Sequence, residues 1–237
     1  MSRFVIGWFL IVFSCHHLSA QDSLLLQKTE RYAAGYLKTV VSYATIFSGN
    51  REQPLGFSTS NHPYFKEQDF TTGRLSYDGI IYPGVHLRWD LYKDQLIVLS
   101  PNNYNIVLQS VNVNFFEIYG YHVFQLLPDG LAGCPSAGYY ILLYSADNYF
   151  LLEKLTNSLQ EENIKKYRYN FNLSSKFYLQ KEDAYYKIQN RRTLLNCLET
   201  HRNELKHFMR SHHLRYKKDA EKTVLETIRE HEKLSRR

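Results

Sequence analysis

A mainly β fold, an antiparallel meander arranged as a sandwich or open barrel and finished by two C-terminal α-helices, is the class this sequence predicts. Three observations predict it. From Gly73 to Leu99, short runs alternate apolar and polar residues and are cut by Asp78-Gly79, Pro83-Gly84 and Lys93-Asp94. Val85, Leu87, Trp89 and Leu91 fall on one side of an extended chain there, and His86, Arg88, Asp90 and Tyr92 on the other, the pattern of a half-buried strand. Similar runs then repeat between turn signals as far as Ile188, after which the apolar spacing becomes helical.

Taken in order, residues 22–49 read as a short helix or extended arm around Leu24, Leu25 and Leu26, followed by a strand over Tyr36 to Phe47 rich in β-branched and aromatic residues. Ser48 to Thr72 is dense in Gly, Pro, Asn and Ser and reads as a long loop, of the length that usually carries function. Asp-Gly at Asp78-Gly79 predicts a hairpin, because both residues tolerate positive φ. Strands are expected at Tyr104 to Gln109, Val113 to Tyr119, His122 to Leu127, Tyr139 to Tyr144 and Tyr149 to Leu155. The turns between them are signalled by Pro101-Asn102-Asn103, Gly120, Pro128-Asp129-Gly130 and Asp147-Asn148. Thr156 to Lys166 reads as a polar connection, and Tyr167 to Leu173, Lys176 to Gln180 and Ala184 to Ile188 as closing strands.

Beyond Asn190, Leu194, Leu195, Leu198, Leu205, Phe208 and Met209 recur at helical spacing with Thr193 as the expected N-cap. Ala220, Val224, Leu225, Ile228 and Leu234 mark a second helix starting near Asp219. Each apolar stripe must be buried on its fellow, on the sheet or on a partner.

Met1 to Arg3 is a basic start, Phe4 to Phe13 an apolar run too short to span a membrane, and Ser19-Ala20 a small-residue exit. This predicts a signal peptide over 1–20 and an exported, periplasmic or envelope-associated protein. Val12-Phe13-Ser14-Cys15 offers the alternative of a lipoprotein anchored through Cys15. The β domain is then expected over 21–189 and the helical pair over 190–237, with no transmembrane span after signal removal. A net charge of +6 over 237 residues is too mild and too dispersed to indicate nucleic acid. Cys134 and Cys197 are open to two readings, a disulfide or two buried thiols.

Signatures of chemistry are sparse. The sequence lacks a Gly-x-Ser-x-Gly elbow, a His-Glu-x-x-His pair, a phosphate-binding Gly-rich loop and a Cys-x-x-Cys pair, so no cofactor is indicated and a non-enzyme is expected. Scattered residues such as Asp78, His86 and Asp90 would have to share a pocket to make a hydrolase. Cys197, His201 and Glu204 are weak metal candidates, spaced one helical turn apart on the expected helix, where two or three ligands do not close a tetrahedral site. With 20 Tyr and 14 Phe, the chain offers rings for a glycan or peptide, and Tyr64, Phe65, Tyr139 and Tyr185 are the candidate binding residues. Cross-strand aromatic packing accounts for the same composition.

The segments FSGNREQPL, NHPYF, LSYDGIIYPGVHLRWDLYKDQLIVLSP, GYHVFQLLPDG and GCPSAGYYILLY, with the closing NRRTLLNCLETHRNELKHFMRSHHLRYKKDAEKTVLETIREHEKL, cover nearly the whole chain after the leader. In these it resembles a group of small exported proteins of Gram-negative gut bacteria, without an assigned activity, whose genes lie beside those for outer-membrane TonB-dependent receptors and their regulators. The resemblance implies an envelope accessory role with a protein partner, and transfers no catalytic residue. Two functions are therefore expected in outline. The first is a non-enzymatic envelope interaction protein tied to an outer-membrane transport or signalling system. The alternative is a glycan- or peptide-binding β module, with a hydrolase behind both.

Overall fold

The computed structural model describes residues 45–146, 149–163 and 168–236. The expected leader, Cys15, the expected first helix or arm and nearly all of the expected Tyr36 to Phe47 strand lie outside them. The described part is mainly β, as the sequence predicts, with three helices after the sheet.

Two meanders build the sheet. β3 (Thr71–Tyr77), β4 (Ile80–Asp90), β5 (Gln95–Leu99) and β6 (Asn105–Val107) follow one another as hairpins. β7 (Val113–Ile118), β8 (Tyr121–Leu126), β9 (Gly138–Ala146), β10 (Tyr149–Asn163), β11 (Arg168–Lys181) and β12 (Ala184–Ile188) do the same. The two sets join where β7 pairs antiparallel with β3. A 3-10 turn over Ser110–Asn112 carries the chain across from β6. The Asp78-Gly79 hairpin forms as expected, with both residues at positive φ.

The long loop contributes two short strands at opposite ends of this order. β1 (Asn50–Arg51) pairs with β6, and β2 (Ser58–Thr59) lies parallel to β11. In a flat sheet β1 and β11 would stand nine strand spacings apart, roughly 43 Å. The seven residue-to-residue steps from Arg51 to Ser58 reach at most about 25 Å. The sheet therefore coils strongly on itself, without closing into a barrel. Its interior seam shows in the backbone bonds from Leu91 N to the Pro63 carbonyl, 2.9 Å, and from Asn157 N to the Leu91 carbonyl, 3.0 Å.

Inside the coil, Trp89, Phe116 and Tyr139 meet edge to face, with centroids 5.3 to 6.2 Å apart, and Phe65 packs on Trp89. All three central rings are sealed from solvent, so they contribute both burial and favourable quadrupole geometry.

The helices close the outer face of β10 to β12. α1 (Arg191–Leu198), α2 (Arg202–Ser211) and α3 (Ala220–Ser235) pack Leu194, Leu205, Val224 and Ile228 against Leu151 and Leu179. Their stripes are thus buried on the sheet and on one another. α3 starts next to Asp219 as expected, and Asp219 is its N-cap, accepting from Lys222 N. Three helices stand where a pair was expected, because Glu199 and His201 take positive φ and redirect the chain while the apolar stripe runs on. Asn190, rather than Thr193, is the N-cap of α1; Thr193 completes a capping box from the N3 position.

The polar stretch from Thr156 is likewise not a loose connection. β10 continues to Asn163, and Tyr167 to Gln180 is a single strand from Arg168 rather than two. Hydrogen bonds between Thr156 and Ser174, 2.8 Å, and between Asn172 and Gln160 tie this arm together. Along β10 from Thr156 to Asn163, Leu159 is the one apolar residue, so alternation gives no strand signal there.

Candidate functional site

Loop residues 61–65 separate two clefts. They are fixed from three directions. The Asn61 side chain donates to the Phe171 carbonyl and accepts from Phe171 N, both at 2.8 Å, Pro63 accepts from Leu91 N and from the Asn157 side chain, and Phe65 N donates to the Trp89 carbonyl.

On one side lies a polar cleft of about 720 Å³ around Glu52, Tyr64, Arg88 and Asp90. The Arg88 guanidinium meets Glu52 at 2.6 Å, donates to the Gln68 carbonyl, and lies over the rings of Tyr64 and Phe70. Glu52 also accepts from Tyr64 Oη and from the Asn105 amide. The phenol of Tyr64 is held far above its ordinary value, by burial first and by this carboxylate second. Asp90 accepts from Tyr92 N and Lys93 N, the Asx-turn that aims β4 into β5. Burial raises its carboxyl above the ordinary value against those two donors. Apart from Arg88 Nε and His62 Nδ1, these groups satisfy one another. The network holds the loop in place.

The second cleft, of about 520 Å³, differs in kind. Its floor is the sheet face carrying Ile141, Leu155, Phe171 and Phe177, its walls are loop 61–66 and the start of α3, and Leu173 at its edge is 62 % exposed. Glu153 stands in this apolar floor, only 4 % exposed. Strand alternation puts it there: Leu151, Glu153 and Leu155 share one face of β10, and cross-strand pairing sets Phe177 opposite Glu153. Its Oε1 accepts from the Ser175 hydroxyl, whereas Oε2 receives none of the hydrogen bonds found among the described residues. Burial pushes its carboxyl up to about 7; the Ser175 bond works against this and the nearby Glu221 charge adds to it. Asp219 and Glu221 of α3 reach the same cleft. Its one lysine, Lys66, sits with Nζ 4.3 Å from the ring centre of Tyr121 and 5.6 Å from those of Phe65 and Tyr119.

The expected site residues separate. Tyr64 lines both clefts and Phe65 the second. Tyr139 is fully buried beside Trp89, and Tyr185 is covered by the 129–134 loop with Oη on Asp129. Neither offers a ring face to a ligand, because the interior claims Tyr139 and the loop Tyr185. Cys197 is buried in α1, His201 lies in the bend after it, and Glu204 is exposed on α2, so the break between helices undoes the spacing that joined them. Among the described residues, no group of three or more His, Cys, Asp or Glu is placed to hold a metal ion. Cys134 and Cys197 are free thiols. Asp78 lies in an exposed turn, His86 faces solvent near Thr72, and Asp90 is buried at the far end of β4, so the three share no pocket. No described helix is long and apolar enough to cross a membrane.

Glu153 went unnoticed in the sequence. The signal for it is an acid inside the apolar run FLLEKL, on the face that Leu151 and Leu155 bury.

Comparison with protein-family models, with curated proteins and with solved structures finds no match to this chain.

Proposed function

We propose that this protein is a non-enzymatic binding module of the cell envelope, exported by its N-terminal leader, that holds an apolar ligand or an apolar segment of a partner in the Glu153 cleft. The observation that carries this is an apolar floor around a nearly buried carboxyl with one unused oxygen. Pockets of this size with few polar anchors are the usual shape of small-ligand sites. The polar cleft supports the reading in a different way, since its paired charges fix the shared wall. The non-enzymatic part of the reading rests on the sequence, which lacks the common catalytic signatures. Export and an envelope partner rest on the leader and on the resemblance described above.

The test is titration of the full chain with the neutral fluorescent probe N-phenyl-1-naphthylamine. Saturable binding is expected, lost on Leu173→Glu with the unfolding midpoint unchanged, because that side chain is exposed at the edge of the cleft. Absence of binding, or binding indifferent to Leu173→Glu, overturns the reading.

A further inference from the structure

The Glu153 cleft has a charge pattern that selects among apolar ligands. Its acidic groups are Glu153 on β10 and Asp219 and Glu221 on α3; its basic or titratable neighbours are Lys66, His62 and Tyr64 on the loop and Tyr121 on β8. Lys66 is the only lysine or arginine on the lining, and no ion pair joins it to Glu153. Its ammonium is instead engaged by three aromatic rings, whose negative faces attract a cation. The other nearby cation, Lys154, belongs to the opposite face of β10 and is bound to Asp94. Asp219 is occupied as the α3 cap. Glu153 is therefore a buried carboxyl with a free oxygen and no cation of its own.

We infer that the cleft takes a ligand bearing a protonated amine on an apolar body, with the ammonium donating to Glu153 Oε2 and the body lying on Leu155, Phe171 and Phe177. This rests on the cleft being a binding site and names the class of its ligand. The amine supplies the counter-charge that the fold withholds. A neutral ligand of the same shape leaves Glu153 to be desolvated alone, and an anionic one meets three carboxylates. Because Glu153 holds its proton up to about pH 7, an incoming ammonium at lower pH displaces that proton to solvent. No covalent change is involved.

The experiment compares 1-octylamine, 1-octanol and octanoate, all below their aggregation thresholds, by calorimetric titration of the full chain near pH 8 and near pH 5. At pH 8 the amine is expected to bind at least tenfold tighter than the alcohol, and octanoate weaker than either. Toward pH 5, where the amine stays charged and Glu153 is protonated, that advantage falls toward parity. Glu153→Gln at pH 8 isolates the carboxylate. It is expected to erase the amine's advantage and leave octanol binding intact, whereas Lys66→Ala preserves the advantage. If Glu153→Gln does not fold, the two-pH comparison on the unaltered chain decides alone. Equal binding of alcohol and amine at pH 8, tighter binding of octanoate, or an advantage that survives at pH 5 overturns the inference and leaves the cleft a binding site. No binding of any of the three overturns both.

Discussion

Glu153 and Lys154 are adjacent in sequence, yet their charges face opposite sides of β10 and do not neutralise each other. Lys154 Nζ lies 2.5 Å from Asp94 Oδ2 and donates to the Tyr139 carbonyl at 3.1 Å, while Glu153 has only the Ser175 hydroxyl. Strand alternation imposes the split, and it leaves one buried charge compensated and its neighbour not.

Stability should therefore depend on pH through Glu153. Below about pH 4.5 its carboxyl is protonated in folded and unfolded chains alike. Between 4.5 and about 7 only the folded chain keeps the proton, so stability falls as pH rises and the loss is complete above 7. The magnitude is about 3 kcal/mol at most. Glu153→Gln should be the more stable protein at pH 8 by an amount of this order, converging with the unaltered chain toward pH 4.5. Urea unfolding at several pH values checks both the sign and the interval.

Lys154→Met should destabilise by about 3 kcal/mol, because it strands Asp94 in a site built for an ammonium. Gly138→Ala should act on the same pair. A Cβ at Gly138 would fall on Asp94 Oδ2 and Lys154 Nζ, and φ there is +145°, which disfavours a side chain. In a double-variant cycle on unfolding free energy, Gly138→Ala combined with Lys154→Met should cost clearly less than the sum of the two.

Asn190→Ala should lower stability by about 1 kcal/mol. Its side chain accepts from Arg192 N and Thr193 N, two donors otherwise unmatched at the start of α1. Asn190→Asp should retain most of it. Thermal unfolding of the three proteins gives the comparison.

His231 has the opposite dependence to Glu153. Burial, with His201 nearby, depresses its imidazole below 6.5, Nε2 is hydrogen-bonded to Thr200, and Nδ1 is buried without a partner. Its contribution is present above pH 6.5 and is lost as pH falls through its depressed folded value. His231→Gln should flatten the acid side of the stability profile and leave the alkaline side alone.

The hairpins around Trp89 were legible because turn chemistry and period-two alternation agree over Gly73 to Leu99. The start of α3 near Asp219 was legible from the helical spacing of Ala220, Val224 and Ile228. The continuation of β10 past Leu155 was not, since Thr156, Ser174, Gln160 and Asn172 hold it to β11 by side-chain bonds that a hydropathy pattern does not register. Nor was the bend at Glu199 to His201, because the stripe from Leu198 to Leu205 continues in space after the backbone has turned. Tyr64 and Phe65 line the clefts, on the loop whose length and composition drew attention to it. Tyr139 was misjudged because a strand sequence does not say which face is the interior, and a coiled sheet leaves few rings outside.

The wall between the two clefts joins residues that are among the most distant in the chain to touch. Asn61 and Phe171 are 110 positions apart, and Pro63 and Asn157 are 94. Loop-closure entropy sets such contacts behind the local hairpins in time, so the meander should assemble first and the wall should dock last. In refolding, the naphthylamine signal should lag the far-ultraviolet signal of the sheet. The cleft is then a late product of folding, and an arrested chain can hold its strands while having nowhere to put a ligand.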